Sequence, residues 1–524
     1  MKAFLHWFSS LYSGQRRFAL PCLILAAWSS LFISLDFSTD IPYRHDDANY
    51  LALAKSFSQG SGYLNIALPY SESMTTDPSA FPLLLTIYWR FISPHVVVLK
   101  ILLALLLVSG VLLSYLWLLQ IVLPTEAFLI TLAFSSMPMF VLIGNSILSE
   151  ILFVPVLYAG FFLGGTVYRG NSSKSIGWLA LLCFVLLARI RVVGLCFFGV
   201  HIVFLFWKKD RIKACSGIIL LALWIFLERL CVVARAANDG YAHAFIHNFP
   251  LVSNTGAAIS LLVHTYRHNI WSFAGSMYAN ILFPWFYSFA PMNPVKRLVV
   301  LSLFVNGCVG LFLLWKNKPW MRPILAATIL SLIPVFSWTR TGTIFRYLFP
   351  FFPLLALVFV VPILELVPKR LSRPAGSMPL LFLACMVGNQ AIASLGTGTF
   401  DPYLYGRKEF KLVHDFVNGQ QLRPDIILSE HNFYTYLTTG VYSLDESSFE
   451  TARACSSLTT AHAIWGISER NRTWSRAVVP CGALALVQDS VPLYRSGPWE
   501  LCVVRCRSTS SEEPRSKLRG IFHP

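Results

Sequence analysis

The sequence predicts an α-helical polytopic membrane protein, with about eleven transmembrane helices and a small α/β domain at its C-terminal end outside the membrane. Three observations carry this. Hydrophobic residues make up 56% of the 524 positions and charged residues 13%, whereas a soluble domain carries about 25% charge. The apolar residues gather in long runs divided by short polar connections, as helices cut to bilayer thickness require. After about Leu395 the long runs stop, and short amphipathic and apolar stretches replace them.

Taken in order, the first run, Phe18 to Leu35, is too long for a removable signal peptide and lacks a small-residue cleavage site, so it reads as an anchor. Further crossings are expected near 96–119, 126–143, 147–168, 176–188, 191–207, 214–233, 298–315, 321–338, 345–366 and 378–395. Lys2, Arg16 and Arg17 precede the first run. Arg169 and Lys174, then Lys208, Lys209, Arg211 and Lys213, then Lys316, Lys318 and Arg322, then Lys369, Arg370 and Arg373 fall on the same side. Positive loops mark the cytoplasmic side, so the expected N-terminus is cytoplasmic and the C-terminal domain extracytoplasmic, in the plasma (inner) membrane. This bookkeeping requires 176–207 to be a hairpin turning near Arg189 and Arg191, and 271–290 to make no net crossing.

The net charge of +17 collects in these clusters rather than on one basic face, which excludes a nucleic-acid partner as its explanation. No Walker, GxGxxG, HExxH or paired CxxC motif occurs, so nucleotide-driven pumping and a recognisable zinc site have no support. The outward loop 36–94 carries a polar island, Tyr43 to Pro82, with two adjacent carboxylates, Asp46 and Asp47, ahead of ANYLALAKSF. Ala48, Leu51, Ala52, Leu53 and Phe57 share one side at helical spacing, which puts the acids at a helix N-terminus, where the dipole favours ionised carboxylates. Gly60 and Gly62 stop the helix, and DPSAFP is expected to form a rigid irregular connection. A simple capping role for Asp46 competes with a catalytic one.

HDDANYLALAKSFSQGSGY followed by DPSAFPLLLTIYWRF resembles the first extracytoplasmic loop of the GT-C superfamily of integral-membrane glycosyltransferases, which includes protein O-mannosyltransferases and lipid A aminoarabinose transferases. SEILF (Ser149 to Phe153) resembles that family's acidic opening of the fourth span, LLARIRVVGL (Leu186 to Leu195) its arginine-bearing turn, and FRYLFPFFPLL (Phe345 to Leu355) its late RY-x-x-P span start. The likeness covers roughly residues 15–395, in pattern more than identity. Many members carry Asp-Glu where this chain has Asp46-Asp47, and 235–296 has no counterpart.

The resemblance implies transfer of a sugar from a polyprenyl-phosphate carrier to an extracytoplasmic lipid, glycan or protein acceptor. Asp46 matches the first acid of the motif and is the expected general base, since an acceptor hydroxyl is a poor nucleophile. Asp47 and Glu150 are expected to orient the base, the acceptor or a divalent cation. The leaving lipid phosphate needs cations, and the arginine fork binds phosphate oxygens in pairs. Arg346, beside Tyr347, is the first candidate, with Arg189 and Arg191 behind it; snorkelling to the interface is their competing role. A lipid or glycan transporter or flippase, and an inactive scaffold of a polysaccharide assembly complex, are the alternative functions.

Segment 235–296, with His243, His247, His264 and His268 among many aromatics, matches no metal spacing well and is expected to be an aromatic-lined loop over the cavity, with an interfacial aromatic belt as the competing explanation. Beyond it, residues 1–395 form the expected membrane domain, 396–507 the extracytoplasmic domain and 508–524 a disordered tail. EFKLVHDFV and NFYTYLTTG read as helices, and DIILSE, ALALVQDS and ELCVVRC as strands. Cys455, Cys481, Cys502 and Cys506 in this domain allow two disulfides in three connectivities.

Overall fold

The computed structural model describes residues 16–35, 37, 45–62, 64, 66–67, 79–92, 95–170, 173–231, 255–284, 294–337, 341–366, 378–396, 407–420, 424–429, 432–439, 441–444, 464–469, 484–488, 493–496 and 499–508. The chain forms two compact units, Met1–Asp40 with Thr75–Phe400, and Ile41–Met74 with Asp401–Pro524. In chain order the first helices are α1 (Arg16–Ser34), α2 (His45–Ser58), α3 (Ala80–Phe91), α4 (Val96–Leu118), α5 (Pro124–Ser135), α6 (Pro138–Gly144), α7 (Glu150–Tyr168), α8 (Lys174–Ile190) and α9 (Gly194–Trp207). They are followed by α10 (Arg211–Cys231), α11 (Thr255–Ser272), α12 (Tyr278–Leu282), α13 (Pro294–Asn317), α14 (Arg322–Phe336), α15 (Thr341–Leu348), α16 (Phe352–Leu366) and α17 (Met378–Gly396). All of these except α2 belong to the first unit.

Among the described residues five helical segments are long and apolar enough to cross a membrane: Val96–Leu118, Glu150–Tyr168, Pro294–Asn317, Pro319–Phe336 and Ile344–Glu365. The pair α5 and α6, bent by 62°, makes a sixth if it counts as one span. Pro138 explains the bend: it opens the second helix, where its missing N–H costs nothing, and cannot continue the first. Shorter apolar helices, Ala19–Ser34, Gly194–Trp207 and Pro379–Leu395, accompany them.

Packing in the first unit follows small residues and aromatic rings. Gly110 of α4 lets Val154 and Pro155 of α7 approach so closely that an added Cβ would lie 2.8 Å from Val154 Cγ1. Buried Trp117, Phe134, Tyr158, Phe161 and Phe349 form the centre, with ring centroids 5.5 Å apart for Trp117–Tyr158 and 5.1 Å for Phe134–Phe349. Helix C-termini inside this unit leave carbonyls without helical partners, and polar side chains of other helices satisfy them. Asn145 donates to Ile33 O at 2.9 Å, Asn269 to Phe336 O at 2.7 Å and Gln390 to Ile281 O at 2.6 Å. Asn306 of α13 adds a cross-helix bond of another kind, donating to Phe359 O in the middle of α16 at 2.6 Å.

Two segments differ from the sequence reading. Ala80–Phe91 is a helix rather than part of an irregular connection, because Pro82 lies in its first turn, where proline is tolerated. Thr255–Leu282 runs helically through a π turn at Phe273–Met277 rather than as a loop. His264, Arg267 and His268 interrupt its hydropathy, but they sit exposed while Thr265 and Asn269 face inward. His243 and His247 lie outside the described residues, as do residues 367–377 and those after 508, on which the expected basic connection and disordered tail fall.

The second unit holds α18 (Arg407–Gly419), β1 (Ile426–Ser429), α19 (Asn432–Thr439), β2 (Tyr442–Leu444), β3 (Ile464–Glu469), β4 (Leu484–Gln488), β5 (Tyr494–Ser496) and β6 (Trp499–Ser508), together with α2. The six-stranded sheet has the order β2-β1-β3-β6-β4, with β5 also on β6. β1 is parallel to β2 and β3, with Ile426 level with Tyr442 and Ile464, while β6 runs antiparallel to β3, β4 and β5. Every residue of β1 is buried, as an apolar strand between two parallel neighbours should be. α19 packs on β1, β2 and α18, and α2 packs on α19. Ser443 N donates to Ala67 O at 2.8 Å, tying the segment after α2 to the edge of the sheet. Cys502 is buried in β6; Cys455 and Cys481, and the Cys506 side chain, lie outside the described residues.

Candidate functional site: a carboxylate between two arginines

Glu150 opens α7 and is fully buried, in the first turn where the helix dipole favours an anion. Two guanidinium groups converge on it. Arg346 approaches as a fork, its Nε donating to Oε1 and its Nη2 to Oε2 at 3.1 Å. Arg191 Nη1 pairs with Oε1 at 2.5 Å and donates to Ser149 Oγ at 3.2 Å. The trio thus carries one net positive charge, from two arginines and one glutamate.

The local fold explains each position. Arg191 ends α8 in extended backbone, φ −150° and ψ 148°, and α9 begins at Gly194. A Cβ on Gly194 would lie 2.0 Å from Leu187 O, so this tight hairpin admits only glycine there. The Arg191 guanidinium sits 4.3 Å from the centre of the Tyr347 ring, which fixes its plane. Arg346 and Tyr347 lie on α15, followed by a 3-10 turn, Phe349–Phe351, that Tyr158 anchors by donating to Pro350 O at 2.7 Å.

Of the residues expected from sequence, Glu150, Arg191, Arg346 and Tyr347 come together in the first unit. Arg189 does not join them: it pairs with Glu228 of α10. Asp46 and Asp47 lie in the first turn of α2, in the second unit, Asp46 half-buried and Asp47 fully buried. Ser149 was missed as an Arg191 partner, since a serine before a helix reads as a cap; its side chain makes no cap hydrogen bond. Lys100, a buried cation near the start of α4 with Phe37 5.3 Å from its Nζ, was hidden by the apolar run around it.

Both Glu150 oxygens are engaged by arginine, which makes it a poor ligand for the divalent cation expected near Asp46, Asp47 and Glu150. Among the described residues no three His, Cys, Asp or Glu side chains gather as a metal-ligand set.

The opposite end of α7 carries a second cluster. Arg169, after the last turn of α7, donates to Gln120 just beyond α4 and stacks 4.5 Å from the ring centre of Trp320, between α13 and α14. Glu150 and Arg169 are separated by α7, about 28 Å long at 1.5 Å per residue, close to the hydrocarbon thickness of a bilayer.

No protein-family model matches the sequence, and no curated protein matches it. Among solved structures, the archaeal oligosaccharyltransferase AglB from Archaeoglobus fulgidus, in complex with an inhibitory peptide and a dolichol-phosphate, is similar with a TM-score of 0.52 and 12% identity, over 87% of this chain and 70% of that one. The apo form of the Archaeoglobus fulgidus oligosaccharyltransferase gives 0.51 at the same identity and coverage. ArnT from Cupriavidus metallidurans bound to undecaprenyl phosphate gives 0.48 at 11% identity, over 94% of this chain and 98% of that one. At such identities the likeness is one of fold: this chain shares the fold of the archaeal oligosaccharyltransferase.

Proposed function

We propose that this protein is a glycosyltransferase that moves a sugar from a polyprenyl-phosphate carrier to an acceptor outside the cytoplasm. The observation that carries this reading is the convergence of Arg191 and Arg346 on Glu150, two guanidinium forks held at one end of an apolar helical unit. Ionisable groups there are costly, and the second arginine leaves a positive charge that Glu150 alone does not offset, as a site for an anion requires. A lipid phosphate suits them: its oxygens match the fork, and its isoprenoid tail suits the surrounding apolar helices. One of the solved structures that share the fold contains a dolichol-phosphate, itself a polyprenyl phosphate.

In the proposed reaction the acceptor oxygen attacks the anomeric carbon while the bond from that carbon to the phosphate oxygen breaks. The electron pair leaves with the polyprenyl phosphate, and the acceptor proton passes to a carboxylate base, the role that the sequence motif offers to Asp46 with Asp47 beside it. In the first unit Arg346 and Arg191 hold the phosphate and offset the charge that grows on it, with Glu150 and Ser149 fixing their planes.

Arg346→Lys keeps the charge but loses the fork. It is expected to lower kcat by about 10²–10³-fold with a smaller change in donor affinity, because the contact strengthens in the transition state. The assay is purified protein in liposomes with polyprenyl-phosphate sugars and an acceptor panel, scoring free polyprenyl phosphate and glycosylated product. If donor crosses the bilayer intact, no acceptor releases polyprenyl phosphate and Arg346→Lys impairs only crossing, the transporter reading replaces this one.

The proposal places the N-terminus in the cytoplasm and the Glu150 end of the bundle outside, in the plasma (inner) membrane. Eleven crossings follow when the bent pair, the three shorter apolar helices, α8 and α10 cross along with the five long segments. In a cysteine-free background Ser61→Cys should react with an impermeant thiol reagent added outside, and Asn317→Cys should not. Reversed labelling would overturn the orientation.

A further inference from the structure

In the second unit α2 and α19 lie side by side, and their contact carries an aromatic and cationic surface. Lys55 Nζ sits 4.9 Å from the centre of the Tyr436 ring. Tyr436 in turn lies beside Tyr442, the two rings within 17° of parallel and their centres 6.3 Å apart. Tyr442 is 47% exposed, on the edge strand β2 between buried Val441 and Ser443, so strand alternation turns its ring away from the core. The hydrogen bond from Ser443 N to Ala67 O ties this strand to the chain that leaves α2, and Ser56 Oγ donates to Gly62 O at 2.8 Å to fix that exit. Two stretches far apart in sequence thus build one rigid face.

The chemistry of the face is specific. Burial pushes the Lys55 ammonium pKa down, and among the described residues no carboxylate pairs with it. Burial also raises the Tyr436 phenol, so the ring stays neutral. A half-buried cation held over an aromatic ring, with a second, exposed ring alongside, offers one site for a negative group and one flat face. The negative face of an aromatic ring attracts the slightly positive hydrogens on the flat side of a pyranose, and the ammonium attracts a carboxylate or phosphate.

We infer that Lys55, Tyr436 and Tyr442 form a binding platform for an acidic saccharide. Its role as the acceptor, or as a growing part of it, rests on the transfer proposed above. The platform lies on the helix whose first turn carries Asp46 and Asp47, about 12 Å along the axis from Asp47. An oligosaccharide of several rings therefore fits better than a single sugar.

The test is calorimetric titration of the full-length protein in nanodiscs, without donor. The ligands are uronate-bearing and phosphate-bearing trisaccharides, an uncharged glucose trisaccharide and inorganic phosphate. At least one acidic trisaccharide should bind about tenfold or more tightly than the neutral one, and phosphate alone should not saturate the site. Tyr442→Ala and Lys55→Gln should each weaken acidic binding by about tenfold, with Lys55→Arg restoring it. Unchanged melting temperatures would assign these losses to the surface itself. Equal binding of acidic and neutral sugars, binding untouched by either variant, or no binding of any acidic trisaccharide would each overturn the inference. The titration needs no transfer, so its failure leaves the transfer reading standing, and failure of the liposome assay leaves the platform standing.

Discussion

Asp46→Asn should lower turnover by about 10²–10⁴-fold, the usual contribution of a positioned general base, while folding and donor binding stay near those of the parent. Asparagine keeps the size and capping capacity of aspartate at a helix start but cannot take the acceptor proton. Asp46 is half-buried in the first turn of α2, so its replacement leaves no deeply buried orphan. Asp47 is fully buried, and Asp47→Asn should therefore show its first effect in stability. Product formation and thermal unfolding measured on the same preparations separate the two. Retained turnover in Asp46→Asn removes Asp46 from the base role.

Glu150→Gln should be the most damaging change in the first unit, at about 3–5 kcal/mol, because it removes the carboxylate between two buried or half-buried guanidinium groups. The neutral amide cannot offset their charge and presents a donor where one fork needs an acceptor. The melting temperature should fall accordingly. An anion that fills the gap should bring part of it back, since a ligand that binds only the folded state stabilises it by mass action. Inorganic phosphate is therefore expected to raise the melting temperature of Glu150→Gln more than that of the parent. Equal response of the two proteins would show that the forks do not receive phosphate.

Much of the first unit is legible because its candidate site residues stand where hydropathy breaks. Glu150, Arg191 and Arg346 each interrupt or border an apolar run, and a charge in such a place needs a reason. The helical α2 and its glycine exit were equally plain, with Gly60 and Gly62 at φ of 78° and 70°. What covers α2 was not. Its residues are buried on nearly every side, from Asp47 and Ala48 to Ala54 and Ser56, and the cover comes from a segment hundreds of positions later. Periodicity reports which face a residue takes, not which partner meets it. For the same reason the sequence does not part Arg189 from Arg191, two residues on, although the first joins Glu228 and the second Glu150. Composition alone did not separate helix from loop at Thr255–Leu282, where inward asparagine and exposed histidines blur the apolar stripe.

Pro362 has no N–H for the carbonyl of Val358, and that oxygen turns to Gly310 of α13, where an added Cβ would lie only 1.7 Å away. A slip of α16 past α13 by a single residue, about 1.5 Å, would set a side chain against that oxygen. The pair is pinned in register, and the pin lies twelve residues beyond Arg346 on the same stretch of chain. The height of Arg346 along the helical unit is thus fixed from further along the chain, by the close approach of a glycine and a carbonyl that a proline leaves open.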